Sequence, residues 1–123
     1  MDATGNEFLR GTLKTIVLKL LTEQVSPSGR GRMYGYEITQ AVKERTKGEI
    51  TLSFGALYPV LHKLEQEGLL ITETEEVDGR LRKYYSLTPN GNKAAARKVS
   101  DFERFIEAMQ TLLNPPIQLA TDH

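Results

Sequence analysis

The chain has 123 residues, with 16 Lys and Arg against 16 Asp and Glu, two His and no Cys, and 39% of it is hydrophobic. That length suits one compact domain with its own core, and the lack of Cys excludes disulfides, thiolate metal sites and a thiol nucleophile. A formal net charge of zero excludes attraction to a polyanion through bulk charge, so any such affinity must come from local placement.

The first seven residues contain no basic run followed by an apolar stretch, so no signal peptide is expected. The most apolar segment, Ile16 to Leu21, is interrupted by Lys19 and too short to span a bilayer. The composition therefore reads as a cytoplasmic domain with no membrane association.

Thr4 with Glu7 has capping-box spacing. Leu9, Leu13, Ile16, Val17 and Leu20 then recur at helical intervals, predicting a first helix over about residues 6–23. Ser26-Pro27-Ser28-Gly29-Arg30-Gly31-Arg32 is a loop by composition, either solvated or using Arg30 and Arg32 on phosphates. A second helix fits Gly35 to Thr46, with Ile38, Ala41 and Val42 inward and Gly48 at its exit. A third follows, with Ser53 as N-cap, Leu57, Leu61 and Leu64 buried, and Gly68 just past its end. Pro59 opposes that helix unless it begins near Gly55 or is irregular there, because proline lacks the N–H and crowds the preceding turn.

Leu69 to Val77 and Leu81 to Leu87 predict a hairpin turning at Asp78-Gly79, which supplies the positive φ of a tight turn. Thr88-Pro89 opens a last helix, in which Ala95, Val99, Phe102, Ile106, Met109 and Leu113 form a heptad seam widened by Phe105 and Leu112. Pro115-Pro116 ends it, leaving a loose tail.

Helix, helix, helix, hairpin, helix is a mainly α, winged helix-turn-helix order, in which the third helix enters the major groove and the hairpin wing touches the backbone. The face of the third helix opposite its leucines offers Tyr58, His62, Lys63 and Glu65, and Ser53 with nearby backbone N–H groups could hold a phosphate. Arg80, Arg82 and Lys83 crowd the return strand beside Tyr84 and Tyr85, which suits phosphate contact, whereas Glu73, Glu75 and Glu76 on the other strand suit cross-strand ion pairing. His62 has no catalytic partner at defined spacing, no phosphate-cradling motif is present, and two His without Cys do not make a metal site, so neither enzyme activity nor a cofactor is expected.

Tyr34-Gly35-Tyr36-Glu37-Ile38, Leu57-Tyr58-Pro59-Val60-Leu61-His62-Lys63-Leu64-Glu65 with Gly68-Leu69-Leu70, and Arg82-Lys83-Tyr84-Tyr85-Ser86-Leu87-Thr88-Pro89-Asn90-Gly91 together resemble the signature of PadR-type transcriptional regulators. The resemblance runs from Leu9 to Gly91. It implies a homodimeric bacterial repressor on a pseudo-palindromic operator of double-stranded DNA, and it places Pro59 inside the recognition helix. It also implies DNA contacts from Ser53, Gly55, Ala56 and Tyr58, from the wing residues Arg82, Lys83 and Tyr84, and from Tyr34 and Tyr36 near the phosphates. Residues 1–88 would be the DNA-binding domain, 89–114 a dimerisation helix and 115–123 a tail.

The seam is too apolar for a lone helix to expose, so it packs on its own domain or on another chain; the resemblance and the two-fold logic of operator reading favour a second copy. Val99, Phe102, Phe105, Ile106, Met109 and Leu113 would then meet Leu9, Leu13 and Ile16. A small-molecule effector that changed the angle between the paired helices would weaken operator binding; the sequence identifies none. Drug-sensing members stack flat ligands on Trp, which this chain lacks. The competing class is a winged-helix module that binds protein, which the balanced charge favours.

Overall fold

In the computed structural model, residues 7–23 and 31–116 are described. The Thr4 cap, the 26–30 part of the loop with Arg30, and the tail beyond 116 lie outside the described residues. The elements run α1 (Glu7–Arg10), α2 (Leu13–Leu21), β1 (Met33–Tyr34), α3 (Gly35–Arg45), α4 (Phe54–Gln66), β2 (Leu70–Val77), β3 (Arg80–Leu87) and α5 (Pro89–Leu113).

The expected first helix is two. It breaks at Gly11-Thr12, where the Thr12 hydroxyl donates back to the Leu9 carbonyl at 3.0 Å and the Thr12 carbonyl starts α2 by accepting from Ile16 N–H. Glycine is a poor helix former, and a threonine that bonds its own preceding turn competes with the helical ladder. The apolar stripe survives the break. Leu9, Leu13, Val17 and Leu20 are buried, and Leu18 and Leu21 bury a second side of α2. That helix packs on α3, α4, β3 and α5 and is the centre of the core. Leu13, expected to face a second copy, is 3% exposed and belongs to the chain's own core. Leu9 is equally enclosed by its own chain, and Ile16 packs against the core from its edge.

Local chemistry explains the other boundaries. Ser53 Oγ accepts from Ala56 N–H at 3.2 Å, capping α4. At the far end Gly68, at φ 76°, lets Leu69 N–H reach the Leu64 carbonyl while its own N–H reaches Glu65, a Schellman closure. Pro59 lies inside α4. The carbonyl it cannot satisfy belongs to Gly55, in the exposed first turn of the helix. The hairpin turns at Asp78 and Gly79, at φ 52° and 77°, and pairs Leu70 with Leu87 through Val77 with Arg80.

β1, not anticipated, adds a third strand: Met33 pairs with Tyr85 and Tyr34 with Tyr84, giving the order β1-β3-β2. Two residues are too few for a period-2 pattern to be visible.

Thr88 caps α5, its Oγ1 accepting from Gly91 N–H at 2.9 Å and donating to the Gly68 carbonyl at 2.7 Å. This clamps the start of α5 onto the turn between α4 and β2. Gly91 is buried there, and a Cβ on it would fall on the Leu69 carbonyl oxygen. Gly91→Ala is therefore expected to cost about 1–3 kcal/mol, the range for overpacking against backbone, while Asn92→Ala, one residue on and exposed, stays within about 0.5 kcal/mol of the parent. Urea unfolding of the two variants checks the pair.

Candidate nucleic-acid interface

Helices α3 and α4 form the two arms of the helix-turn-helix, and the β2–β3 hairpin stands beside them. Between the start of α3, the first turns of α4 and the wing lies an open cleft of about 630 Å³. Four aromatic rings line it. Tyr34 and Tyr36 stack at 6.2 Å between ring centres, and Phe54 lies 5.7 Å from Tyr58. Three of these remain well exposed, Tyr36 at 52%, Phe54 at 47% and Tyr58 at 39%. Large apolar groups held at a surface mark a place where something else covers them.

Tyr58 is placed by a glycine. A Cβ on Gly35 would meet the Tyr58 hydroxyl at 2.6 Å, so only glycine at the start of α3 lets this ring lie there. The start of α3 is itself closed by Glu37, whose carboxylate accepts from Tyr34 N–H at 3.2 Å. His62 continues the ridge one turn beyond Tyr58, at 6.5 Å between rings. Lys63 is also exposed but stands about 100° further round the helix, away from the cleft. Ser53 is occupied in part by its capping bond, Gly55 is exposed at the second helical position, and Ala56 is half-buried.

The wing supplies the cations. Arg80, Arg82 and Lys83 line the cleft. The Arg82 guanidinium lies 4.2 Å above the centre of the Tyr34 ring and donates a long, weak bond to the Tyr84 hydroxyl at 3.5 Å. That bond, the largest cause, holds Arg82 above its ordinary pKa. Lys83 reaches Glu65 on α4 at 3.6 Å and lies 5.5 Å from the Tyr85 ring.

Two expectations for this region need correction. Tyr84, expected to contact DNA, is 4% exposed. Its ring is enclosed edge-on by Tyr34 at 5.5 Å and covered by the Arg32 guanidinium at 4.0 Å, so it is a support for its neighbours. Arg32 is neither solvated nor directed outward, since it spans to Glu73 at 2.9 Å and Glu75 at 2.7 Å with its side chain 8% exposed. The alternative of cross-strand pairs between the wing acids and the wing cations is not formed by Glu73 and Glu75, which bind Arg32. Among the described residues, neither Arg80 nor Arg82 has a carboxylate at ion-pair distance.

Phe54 escaped the sequence reading. It stands three residues before Leu57 and so continues the Leu57, Leu61 and Leu64 stripe; periodicity alone places it inside, and its 47% exposure comes from the packing. Among the described residues no group of His, Asp and Glu is arranged to hold a metal, and no helix is long and apolar enough to cross a membrane.

The profile of the Transcriptional regulator PadR-like family matches residues 17–97, which include α3, α4, the wing and the start of α5. A transcriptional regulator from Mycobacterium tuberculosis is 44% identical over 62 residues, 50% of this chain and 55% of the relative, so the chain spans about half of that protein. Among solved structures, a transcriptional regulator from Clostridium thermocellum superposes with a TM-score of 0.72 at 27% identity, covering 87% of this chain and 95% of the other. A PadR family transcriptional regulator from Eggerthella lenta superposes with a TM-score of 0.71 at 28% identity, covering 89% and 88%. With a family match across the helix-turn-helix and wing, and a shared winged fold along most of its length, this chain belongs to the PadR-like family of transcriptional regulators.

Proposed function

We propose that the chain is a sequence-specific DNA-binding repressor that works in the cytoplasm as a homodimer and has no catalytic role. The observation that carries this reading is the cleft in which exposed aromatic rings on α3 and α4 face Arg80 and Arg82 on the wing. Residues 1–88 form the DNA-binding unit, α4 lies in the major groove, and the wing cations meet phosphates. Tyr34 and Tyr36 lie along the backbone path, and Ser53, Gly55 and Ala56 let the first turn of α4 approach closely. Phe54 fits the 5-methyl group of thymine, an apolar contact available only in the major groove.

Residues 89–114 supply the dimer contact. Helix α5 is about 37 Å long, yet its buried residues are Gly91, Ala94 and Ala95, all in the first two turns. Its far half, with Phe102, Phe105, Ile106, Met109 and Leu113, forms with Phe8 and Leu9 an apolar groove of about 620 Å³. Leu112 and Leu113 are 69% and 75% exposed. Val99, half-buried, stands where this surface begins. A second copy covers it and sets the distance between the two recognition helices, which a pseudo-palindromic operator requires. Operator occupancy excludes the transcription machinery, and a small molecule acting on the angle between the paired α5 helices relieves it.

Three outcomes follow. Phe105→Glu, at a site 56% exposed in the protomer, gives a folded monomer by sedimentation whose affinity for a duplex selected from a random pool falls about a hundredfold; a monomer that binds as tightly as the parent refutes the dimer requirement. Arg80→Ala/Arg82→Ala weakens binding to every duplex alike and flattens the log–log salt dependence by about 0.9 for each phosphate contact removed, measured by fluorescence anisotropy across a salt series. Phe54→Ala is insensitive to replacing contacted thymines by deoxyuridine, whereas the parent loses affinity on that replacement.

A further inference from the structure

The position of Arg32 explains how a wing with more acids than bases can face a polyanion. Residues 70–87 hold Glu73, Glu75, Glu76 and Asp78 against Arg80, Arg82 and Lys83. Glu75 stands directly opposite Arg82 in the strand register, and Glu73 directly opposite Tyr84. Directly opposed residues share one face of a sheet with side chains within reach of each other, so Glu75 is the natural partner of Arg82. It is engaged elsewhere. Arg32 enters the same face two residues before Tyr34, which pairs with Tyr84, and its Nη1 and Nη2 take one carboxylate each, from Glu73 and Glu75.

The rings hold this division of charge in place. Arg32 lies on Tyr84, Tyr84 meets Tyr34 edge-on, and Arg82 lies on Tyr34. Two guanidinium groups thus occupy the two ends of a pair of tyrosines, one on the side of the acids and one on the side of the cleft. Planar guanidinium stacking and two-pronged carboxylate recognition are what arginine does and lysine does not. The order Arg32, Tyr84, Tyr34, Arg82 keeps Arg82 beside the cleft with no carboxylate of the described residues at ion-pair distance, Glu37 acting on it only from further away.

We propose that Arg32 is a positioning residue for DNA binding: lying on the Tyr84 ring and holding Glu73 and Glu75, it keeps Glu75 from neutralising Arg82 and leaves Arg82 for phosphate. This rests on the DNA-binding reading of the cleft. Arg32 itself touches no DNA. The released carboxylates, not the missing guanidinium, are what harm binding when it is lost.

The test is a charge rescue on the full chain. A duplex is first enriched from a random pool with the parent protein, and its affinity is then read by fluorescence anisotropy. Arg32→Met is expected to weaken binding by about tenfold or more, and Arg32→Met/Glu73→Gln/Glu75→Gln to return to within about threefold of the parent. Glu73→Gln/Glu75→Gln alone changes affinity by less than about threefold, since those carboxylates are already neutralised. A purely structural role predicts no recovery in the triple variant. An equal loss with and without the carboxylates overturns the proposal, as does parental affinity in Arg32→Met. If Arg32→Met does not fold, Arg32→Lys replaces it, with a smaller loss expected and the same recovery on Glu75→Gln; a loss unchanged by Glu75→Gln again overturns it. Failure of the parent to enrich any duplex removes the DNA reading itself, an outcome distinct from any of these.

Discussion

The ion pairs from Arg32 to Glu73 and Glu75 decide what kind of surface the wing presents. In a chain with equal numbers of acidic and basic groups, long-range attraction to a polyanion has no source, and the field near a ligand depends on which charges are paired with each other. Pairing Arg32 with Glu73 and Glu75 keeps those two acids off Arg82, while at the tip Asp78 and Arg80 both line the cleft. Surface ion pairs ordinarily contribute little to stability. These matter through where they put charge.

The remaining geometry serves the same cleft through close approach. Gly35 lets the Tyr58 ring lie across the start of α3, and Gly91 lets the start of α5 sit on the turn that joins α4 to the wing. Both contacts tie a helix end to a neighbouring element, linking α4, the wing and the start of α5. Helix α2 supplies the rigidity, because buried leucines and a valine on two of its sides meet α3, α4, β3 and α5. In the dimer proposed above, a connection of this kind would carry a change at the far end of α5 to α4.

What could be read from the sequence is what local chemistry determines. Ser53 and Gly68 at the ends of α4, Asp78-Gly79 in the turn, and Thr88-Pro89 at the start of α5 each act on backbone groups a few residues away, so a linear pattern carries them. The helical stripe through Leu57, Leu61 and Leu64 is likewise periodic along the chain. The break at Gly11-Thr12 was missed because the apolar stripe passes through it without interruption. Strand β1 exists only by pairing with β3, and Arg32 finds Glu73 across 41 positions of sequence. Tyr84 and Phe54 were misjudged or overlooked because exposure depends on what packs above a residue, and no local pattern contains that. Of the candidate site, the basic wing and the exposed ridge of α4 were legible; the separation of charges on the wing was not.

The most direct test of the account is the affinity of the unmodified chain for DNA from upstream of its own gene and for duplexes enriched from a random pool, against scrambled duplexes of equal length, at two salt concentrations. The account predicts preference for one set of sequences and a steep fall in affinity as salt rises, because binding releases counterions from the phosphates. Equal, feeble binding to all duplexes, with no dependence on salt, would contradict it and leave the exposed aromatic cleft as a surface for protein.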